Sequence, residues 1–429
     1  MSALAKTKEK KARAAPTLVT FGCRLNTFES EAIRRLAAAA GLTEAVIVNT
    51  CAVTTEAERQ ARQAIRKARR EHPEAPVIVT GCAAQVNAGA FAAMPEADAV
   101  IGNAEKLDPA VWKRLARHEK GLHAVSDIMA RTEVTPARLP GFAGRTRAFV
   151  QVQTGCDHRC TFCIIPYGRG NARSLPLADV IDQVKAHVAA GHREVVITGV
   201  DITSWGEDLG GAQRLGHLVA AILKHAPGLQ RLRVSSIDVA EIDDEFLRVF
   251  ASEERLMPHL HLSLQAGDDM ILKRMKRRHR RQQAIDFCAT VRDLRPAVTF
   301  GADLIAGFPT ETEEMFANTR SMIGEIGIPF LHVFPYSARP GTPAARMPQV
   351  AGDVIRARAA RLREEGAACM RAHLQAQRGK VAAVHIERPG FARAEDNTPV
   401  GVPGDWPVGD IRPARITAHD DQRLIGEAA

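Results

Sequence analysis

Three short runs, TLVTFGC, AVIVNTC and PVIVTGC, recur one strand-plus-helix length apart, each rich in β-branched residues and each closing on cysteine, at Cys23, Cys51 and Cys82. The stretches between them, FESEAIRRLAAAAG and TEAERQARQAIRKARREHP, carry helical patterns. Gly41 suits the end of the first helix and Pro73 closes the second. Strands alternating with helices build a parallel sheet whose strand C-termini open onto one edge. Three cysteines that follow three such strands therefore converge in space.

The rhythm resumes at Ala148, with strand-like runs AFVQVQTG, EVVITGVDI, RLRVSSID, HLHLSLQAG, VTFGADLIAGFP and FLHVFPYSA. Helical patterns such as LPLADVIDQVKAHVAAG and DDMILKRMKRRHRRQQAIDFCATVRDL separate several of them. Six βα units fit an incomplete parallel barrel, a fold whose active sites lie at the strand C-termini. The expected class is α/β, and 429 residues are too many for one ordinary core. The expected layout is a disordered basic tail over 1–15, a parallel βαβ domain over 16–125, a linker over 126–145 and a barrel over 146–348. A helix over 349–379 then leads to a small β-barrel over 380–429, whose short runs VAAVHIE, ARITAH and RLIGE suit a module used on nucleic acid. No apolar run approaches the roughly 20 residues that span a bilayer, and MSALAKTKEKKARAA lacks a signal-peptide core. A cytoplasmic protein without membrane contact is expected. The net charge of +9 favours a polyanionic partner, although solubility alone also accounts for an excess of that size.

TGCDHRCTFC places Cys156, Cys160 and Cys163 in a Cys-x3-Cys-x2-Cys run after the first barrel strand. Three thiolates can hold three irons of a four-iron cubane and leave the fourth open, as catalytic metal centres do. The alternative is structural zinc completed by His158 or a distant residue, which the unequal spacing and the lack of a second nearby Cys pair disfavour. Cys23, Cys51 and Cys82 have a plainer reading as buried core cysteines, and Cys288 and Cys369, in helical stretches without ligand partners, read as packing residues. His158 reads as a non-ligand loop residue.

GCDHRCTFCIIPYGRG resembles the cluster motif of radical S-adenosylmethionine (radical SAM) enzymes, in which the cofactor's amine and carboxylate chelate the open iron. Reduction then yields a 5'-deoxyadenosyl radical, with the protein ligating, orienting and shielding. FGCRLNTFESE, VNTCAVTTEAERQ and TGCAAQ resemble the methylthiotransferases within that superfamily, and the C-terminal segment resembles their TRAM domain. The resemblance implies two [4Fe-4S] clusters, one on Cys156, Cys160 and Cys163 and one on Cys23, Cys51 and Cys82. It also implies S-adenosyl-L-methionine as cofactor and an electron donor such as flavodoxin or ferredoxin.

In that family the turn ITGVDITSWG touches the cofactor's amino-acid end, so Gly199 is expected to allow close approach. Asp201, where relatives commonly carry Asn, is expected to receive the ammonium. SSID, HLSLQAGDD and GADLIAGFPTETE place Ser235, Asp238, Ser263, Gln265 and Asp303 at strand ends facing the same mouth, for cofactor or substrate positioning; strand-end solvation is the plainer reading of any one. The run LKRMKRRHRRQQ reads either as a solvated helix face or as a phosphate-binding footprint, and some of its arginines border the active site in the family. The basic chain argues for an RNA substrate, the tRNA anticodon stem-loop, over the ribosomal-protein aspartate that one branch modifies. Arg24, Leu25, Asn26 and the Val-Thr-Thr after Cys51 resemble the branch acting on threonylcarbamoyladenosine more than that acting on isopentenyladenosine. An electron-transfer iron–sulfur protein and a zinc-stabilised RNA-binding protein remain as readings from other classes.

Overall fold

The computed structural model describes all residues except 1–14, 118–120, 138, 140 and 143, so the expected tail lies outside the described residues apart from Ala15. The chain forms two compact units, Met1–Ile128 and Met129–Ala429.

In the first unit, strands β1 (Thr17–Thr20), β2 (Val46–Thr50), β3 (Val77–Gly81), β4 (Ala99–Ile101) and β5 (Leu122–Ala124) form one parallel sheet in chain order. Its connections are α1 (Arg24–Ala40), α2 (Thr55–Glu71), the short α3 (Cys82–Val86) and α4 (Ala88–Ala92), and α5 (Pro109–Ala116). β2 and β3 are buried along their whole length, as an apolar run between covering layers requires. Ile33 and Ala37 of α1 pack with Ile47, Ile78 and the fully buried Trp112 of α5 in one core. Gly41 ends α1 at φ 91°, a left-handed cap that costs glycine little.

In the second unit, β6 (Arg147–Gln151) leads to a two-stranded pair, β7 (Gln153–Thr154) and β8 (Arg173–Ser174), with α6 (Ile165–Arg169) between them. Then α7 (Leu177–Ala189), β9 (Glu194–Thr198), α8 (Leu215–His225), β10 (Arg231–Val234), α9 (Asp244–Ser252) and β11 (His259–Gln265) alternate. They are followed by α10 (Asp269–Arg274), α11 (Arg281–Leu294), β12 (Thr299–Ala306), α12 (Glu313–Ile326) and β13 (Phe330–Pro335). β6, β9 and β10 form one parallel sheet and β11, β12 and β13 another. A parallel bridge between Ile237 and Leu262 joins them, giving the six-stranded incomplete barrel in chain order.

The helix expected through the basic run is not continuous. It breaks between α10 and α11, with Lys276 at φ 57°, because the connecting segment is held on the cysteine loop. Thr161 donates its backbone N–H to the Met275 carbonyl at 3.1 Å and its hydroxyl to the Arg274 carbonyl at 2.8 Å. The run is therefore no solvated helix face.

After β13, α13 (Gly352–Ala376) packs on β12 and β13 and leads to β14 (Val381–Arg388), β15 (Phe391–Ala394), β16 (Pro399–Gly401), β17 (Ile411–His419) and β18 (Leu424–Ala428). These five close into a barrel in the order β14-β15-β16-β18-β17. Among the described residues no helix is long and apolar enough to cross a membrane.

Candidate functional site

The loop after β7 carries Cys156, Cys160 and Cys163, and its shape is fixed locally. Gly155 sits at φ 76° with its Cβ position occupied by the Asn171 backbone, so only glycine fits there. The Cys156 N–H donates to the Gly170 carbonyl at 3.1 Å, and Arg159 donates to the Cys156 carbonyl at 2.7 Å and to Asn171 Oδ1 at 2.6 Å. Burial pushes the Cys163 thiol up to about 12, and burial with the nearby Asp201 charge pushes Cys156 higher still. Such thiols are poor free nucleophiles at neutral pH. As donors they suit a metal centre, whose charge makes a coordinated thiol give up its proton.

Two charged groups border the loop. Arg277 Nη1 lies 3.7 Å from Cys160 Sγ, while its Nη2 donates to Asp238 Oδ2 at 2.7 Å and to the Ser263 carbonyl at 2.6 Å. Asp201 Oδ2 lies 3.6 Å from Cys156 Sγ and 3.0 Å from His158 Nε2. Burial works to raise the Asp201 pKa, but hydrogen bonds and charge from His158, with the Thr203 hydroxyl, hold it below the ordinary carboxylate value. His158 also meets Glu241 at 3.3 Å, and Arg278 reaches both. His158 is thus engaged by carboxylates next to the cysteines.

The remaining expected positions divide. Gln153 Oε1 accepts from the backbone N–H groups of Val200 and Asp201 at 3.0 and 2.9 Å, and its amide donates to the Gly155 carbonyl at 2.8 Å. A Cβ on Gly199 would lie 2.9 Å from Gln153, so this glycine lets its own turn approach β7. Ser235 is buried, with its backbone N–H on the Ile197 carbonyl. Asp238 is buried on Arg277. Gln265 ends β11 at φ 70°, a left-handed conformation uncommon outside glycine and asparagine. Asp303 stands mid-strand in β12 and accepts from His261 at 2.9 Å and His332 at 3.2 Å. Gln153, Arg277, His261 and His332 were not singled out from sequence. Only the odd-numbered polar alternation of HLHLSLQ along β11 marks His261 as facing away from the buried leucines.

In the first unit the three cysteines stand at adjacent strand ends. Cys23 caps α1, Cys51 follows β2 and Cys82 opens α3. A polar lattice holds these ends: Asn26 donates to the carbonyls of Phe21 at 2.7 Å and Thr50 at 3.0 Å, Asn49 donates to the Asn26 carbonyl at 3.1 Å, and the Thr50 hydroxyl donates to the Thr80 carbonyl at 2.7 Å. A Cβ on Gly22, itself at φ +95°, would lie 3.0 Å from Cys51 Sγ. The fully buried Lys106 pairs with Glu29 at 2.6 Å and with Asn103 at 2.6 Å, and Asn103 donates toward Cys82 Sγ at 3.5 Å. Cys288 is buried in α11, and Cys369, half-buried in α13, lies 3.8 Å from the Ile323 carbonyl.

Residues 150–323 match the Radical SAM superfamily, and residues 16–102 match a family described as uncharacterized protein family UPF0004. The chain is 49% identical over 94% of its length, and over 95% of the relative's, to a Rickettsia prowazekii protein named threonylcarbamoyladenosine tRNA methylthiotransferase MtaB. It is 33% identical to a Sphingopyxis alaskensis protein named tRNA-2-methylthio-N(6)-dimethylallyladenosine synthase, covering 95% of this chain and 96% of that one. Among solved structures, the radical S-adenosylmethionine methyltransferase TsrM of Kitasatospora setae superposes with TM-score 0.55 at 14% identity, over 78% of this chain and 75% of that one, a likeness of fold.

Proposed function

The chain belongs to the radical SAM methylthiotransferase family, and from that premise we propose that it converts N6-threonylcarbamoyladenosine at position 37 of tRNA to the 2-methylthio derivative. The observation that carries the choice of nucleoside is the 49% identity, over nearly both full lengths, to a relative named for that activity. The family brings a [4Fe-4S] cluster and S-adenosyl-L-methionine, which when bound supply the radical chemistry. Three half-buried cysteines whose loop offers no fourth thiol fit that cluster. Cys156, Cys160 and Cys163 would hold it, with Arg277 placing positive charge beside Cys160. Asp201, oriented by Gln153 and His158, is suited to receive the cofactor's ammonium. Gly199, Ser235, Asp238 and Gln265 shape the same mouth.

We assign a second [4Fe-4S] cluster to Cys23, Cys51 and Cys82, supported by their adjacent strand-end positions and by the hydrogen bond from Asn103 toward Cys82. The functional segments are the auxiliary-cluster domain over 16–125, a linker over 126–145, the barrel over 146–348, the helix over 349–379 and the C-terminal domain over 380–429. The substrate is the anticodon stem-loop, whose unstacked loop base can enter a barrel mouth without first being flipped from a duplex. The setting is the cytoplasm, with flavodoxin or ferredoxin as electron donor.

The test is mass spectrometry of tRNA nucleosides from a strain lacking the gene, with and without its restoration. The expected result is loss of 2-methylthio-threonylcarbamoyladenosine, accumulation of the unthiolated nucleoside and recovery on complementation. Loss of the 2-methylthio isopentenyl nucleoside instead would favour the second reading, which the relative named for dimethylallyladenosine supports.

A further inference from the structure

The fully buried Leu260, Leu262 and Leu264 occupy one face of β11, so His261 and Ser263 share the other, the inner face of the barrel. Asp303 of β12 and His332 of β13 are partners in the strand register. Asp303 Oδ1 accepts from His261 Nε2 at 2.9 Å and from His332 Nδ1 at 3.2 Å, and the two imidazole rings lie 4.8 Å apart. A Cβ on Gly301 would press on the His261 ring, so glycine there makes room for it.

This cluster lies close to the cysteine loop. Ser263, two residues and so roughly 7 Å further along β11 than His261, gives its carbonyl to the arginine that touches Cys160. The three side chains grade from covered to open: His261 is 10% exposed, Asp303 24% and His332 61%. His332 has its Nδ1 on Asp303, and its Nε2 has no partner among the described residues. Phe334, two residues on and on the same face of β13, is 38% exposed, an apolar surface on which a base can stack.

We propose that His332, set in place with His261 by Asp303, hydrogen-bonds the polar acyl substituent on N6 of the target adenosine and selects it against an apolar substituent. The inference rests on the substrate reading above and names the residues that carry it out. With its Nδ1–H given to Asp303, the His332 imidazole offers Nε2 as an acceptor, and a threonylcarbamoyl group presents a hydroxyl and amide N–H groups as donors to it. An isopentenyl group presents none, and would strip water from the imidazole edge without replacing its hydrogen bonds. A site built on hydrogen bonds discriminates more sharply than one built on apolar fit. His332 is a specificity residue, and His261 and Asp303 are positioning residues acting through it.

The experiment uses the cluster-reconstituted full chain with synthetic anticodon stem-loops carrying threonylcarbamoyladenosine, its glycylcarbamoyl analogue without the side-chain hydroxyl, or isopentenyladenosine. Wild type is expected to prefer the first. His332→Leu should lower kcat/KM for it by about ten- to a hundredfold, mainly through KM. It should also shrink the ratio between threonylcarbamoyladenosine and the analogue without the hydroxyl, which general damage to the fold would leave alone. His332→Gln, which keeps a hydrogen-bonding group, should recover part of that ratio. An unchanged ratio between threonylcarbamoyladenosine and the analogue without the hydroxyl in His332→Leu overturns the inference while leaving the substrate reading intact. A wild type that thiolates only isopentenyladenosine overturns that reading as well. One non-iron divalent metal per chain, lost in Asp303→Asn, would make the cluster a metal site and overturn the inference separately.

Discussion

His279 lies two residues beyond Arg277, buried, with Asp238 3.8 Å from its Nδ1. Burial, and then the Arg277 charge, lowers its pKa to about 4 against an ordinary value near 6.5, with Asp238 opposing. The folded chain therefore keeps this ring neutral where the unfolded chain protonates it, and its contribution to stability is lost as pH falls from about 6.5 toward 4. The expected loss between pH 7.5 and pH 5 is about 2 kcal/mol. His279→Leu should flatten the acid limb of urea-unfolding stability by that amount; an unchanged limb would assign the acid sensitivity to other groups. The residues around it also show where reading a sequence stops. Cysteine ligands are legible because only thiols at a given spacing serve, whereas Arg277 looks like one more cation in a basic run. What separates it from Lys273 or Lys276 is burial against Asp238 and Cys160, a consequence of tertiary packing that no local pattern encodes.

At the scale of elements, the alternation of strands and helices was plain from periodicity, since strands such as VIVNT, VIVTG and EVVIT are runs of β-branched residues, HLHLSLQ alternates polar with leucine, and α1 stops at Gly41. The break between α10 and α11 was not, because the charged residues across it are compatible with helix and the break is imposed by hydrogen bonds to Thr161. The same holds for the first sheet. Its strands are visible as VIVNT and VIVTG, but the lattice of Asn26, Asn49 and Thr50 that aligns their ends is visible only once the strands are side by side. Gly22 tests whether that alignment serves the cysteines. Alanine there must adopt φ +95° and press on Cys51 Sγ and Cβ at 3.0 Å. The strain is on the order of 1–3 kcal/mol, too little to unfold a sheet with this core. Iron and sulfide analysis of anaerobically purified Gly22→Ala should therefore fall from about eight toward about four of each per chain if each three-cysteine site carries a [4Fe-4S] cluster. A full complement would show that the Gly22 turn does not govern loading.

Across the whole second unit, the C-terminal barrel is bound into the six-stranded one through a buried charge cluster. Glu194 of β9, fully buried, pairs with Arg233 at 2.8 Å, with His385 at 3.4 Å and with Arg231 at 3.8 Å. Burial would raise its pKa, but Arg233, His385 and Arg147 together hold it far below the ordinary carboxylate range. Those arginines also reach across: Arg231 donates to the Ala383 carbonyl at 2.9 Å, and Arg233 to the carbonyls of Ala394 at 2.9 Å and Glu395 at 2.8 Å. The Thr299 hydroxyl donates to the Asp396 carbonyl at 2.7 Å. The sequence suggested a small separate module for nucleic acid, because its strands are short and its connections rich in glycine and proline. It gave no sign that β9 and β10 carry their charged residues to meet that module's carbonyls. A module serving only as an RNA adapter would leave the stability of the barrel unchanged when removed. Glu194→Gln keeps the shape but leaves Arg231 and Arg233 with uncompensated buried charge, and breaking such a pair costs about 3–5 kcal/mol. Urea unfolding of the variant should show that loss. A chain ending at residue 379 should unfold at lower denaturant than the full chain, in the absence of tRNA. Equal stability of the full and shortened chains would mean that these contacts contribute no net energy, and that the C-terminal barrel acts through RNA alone.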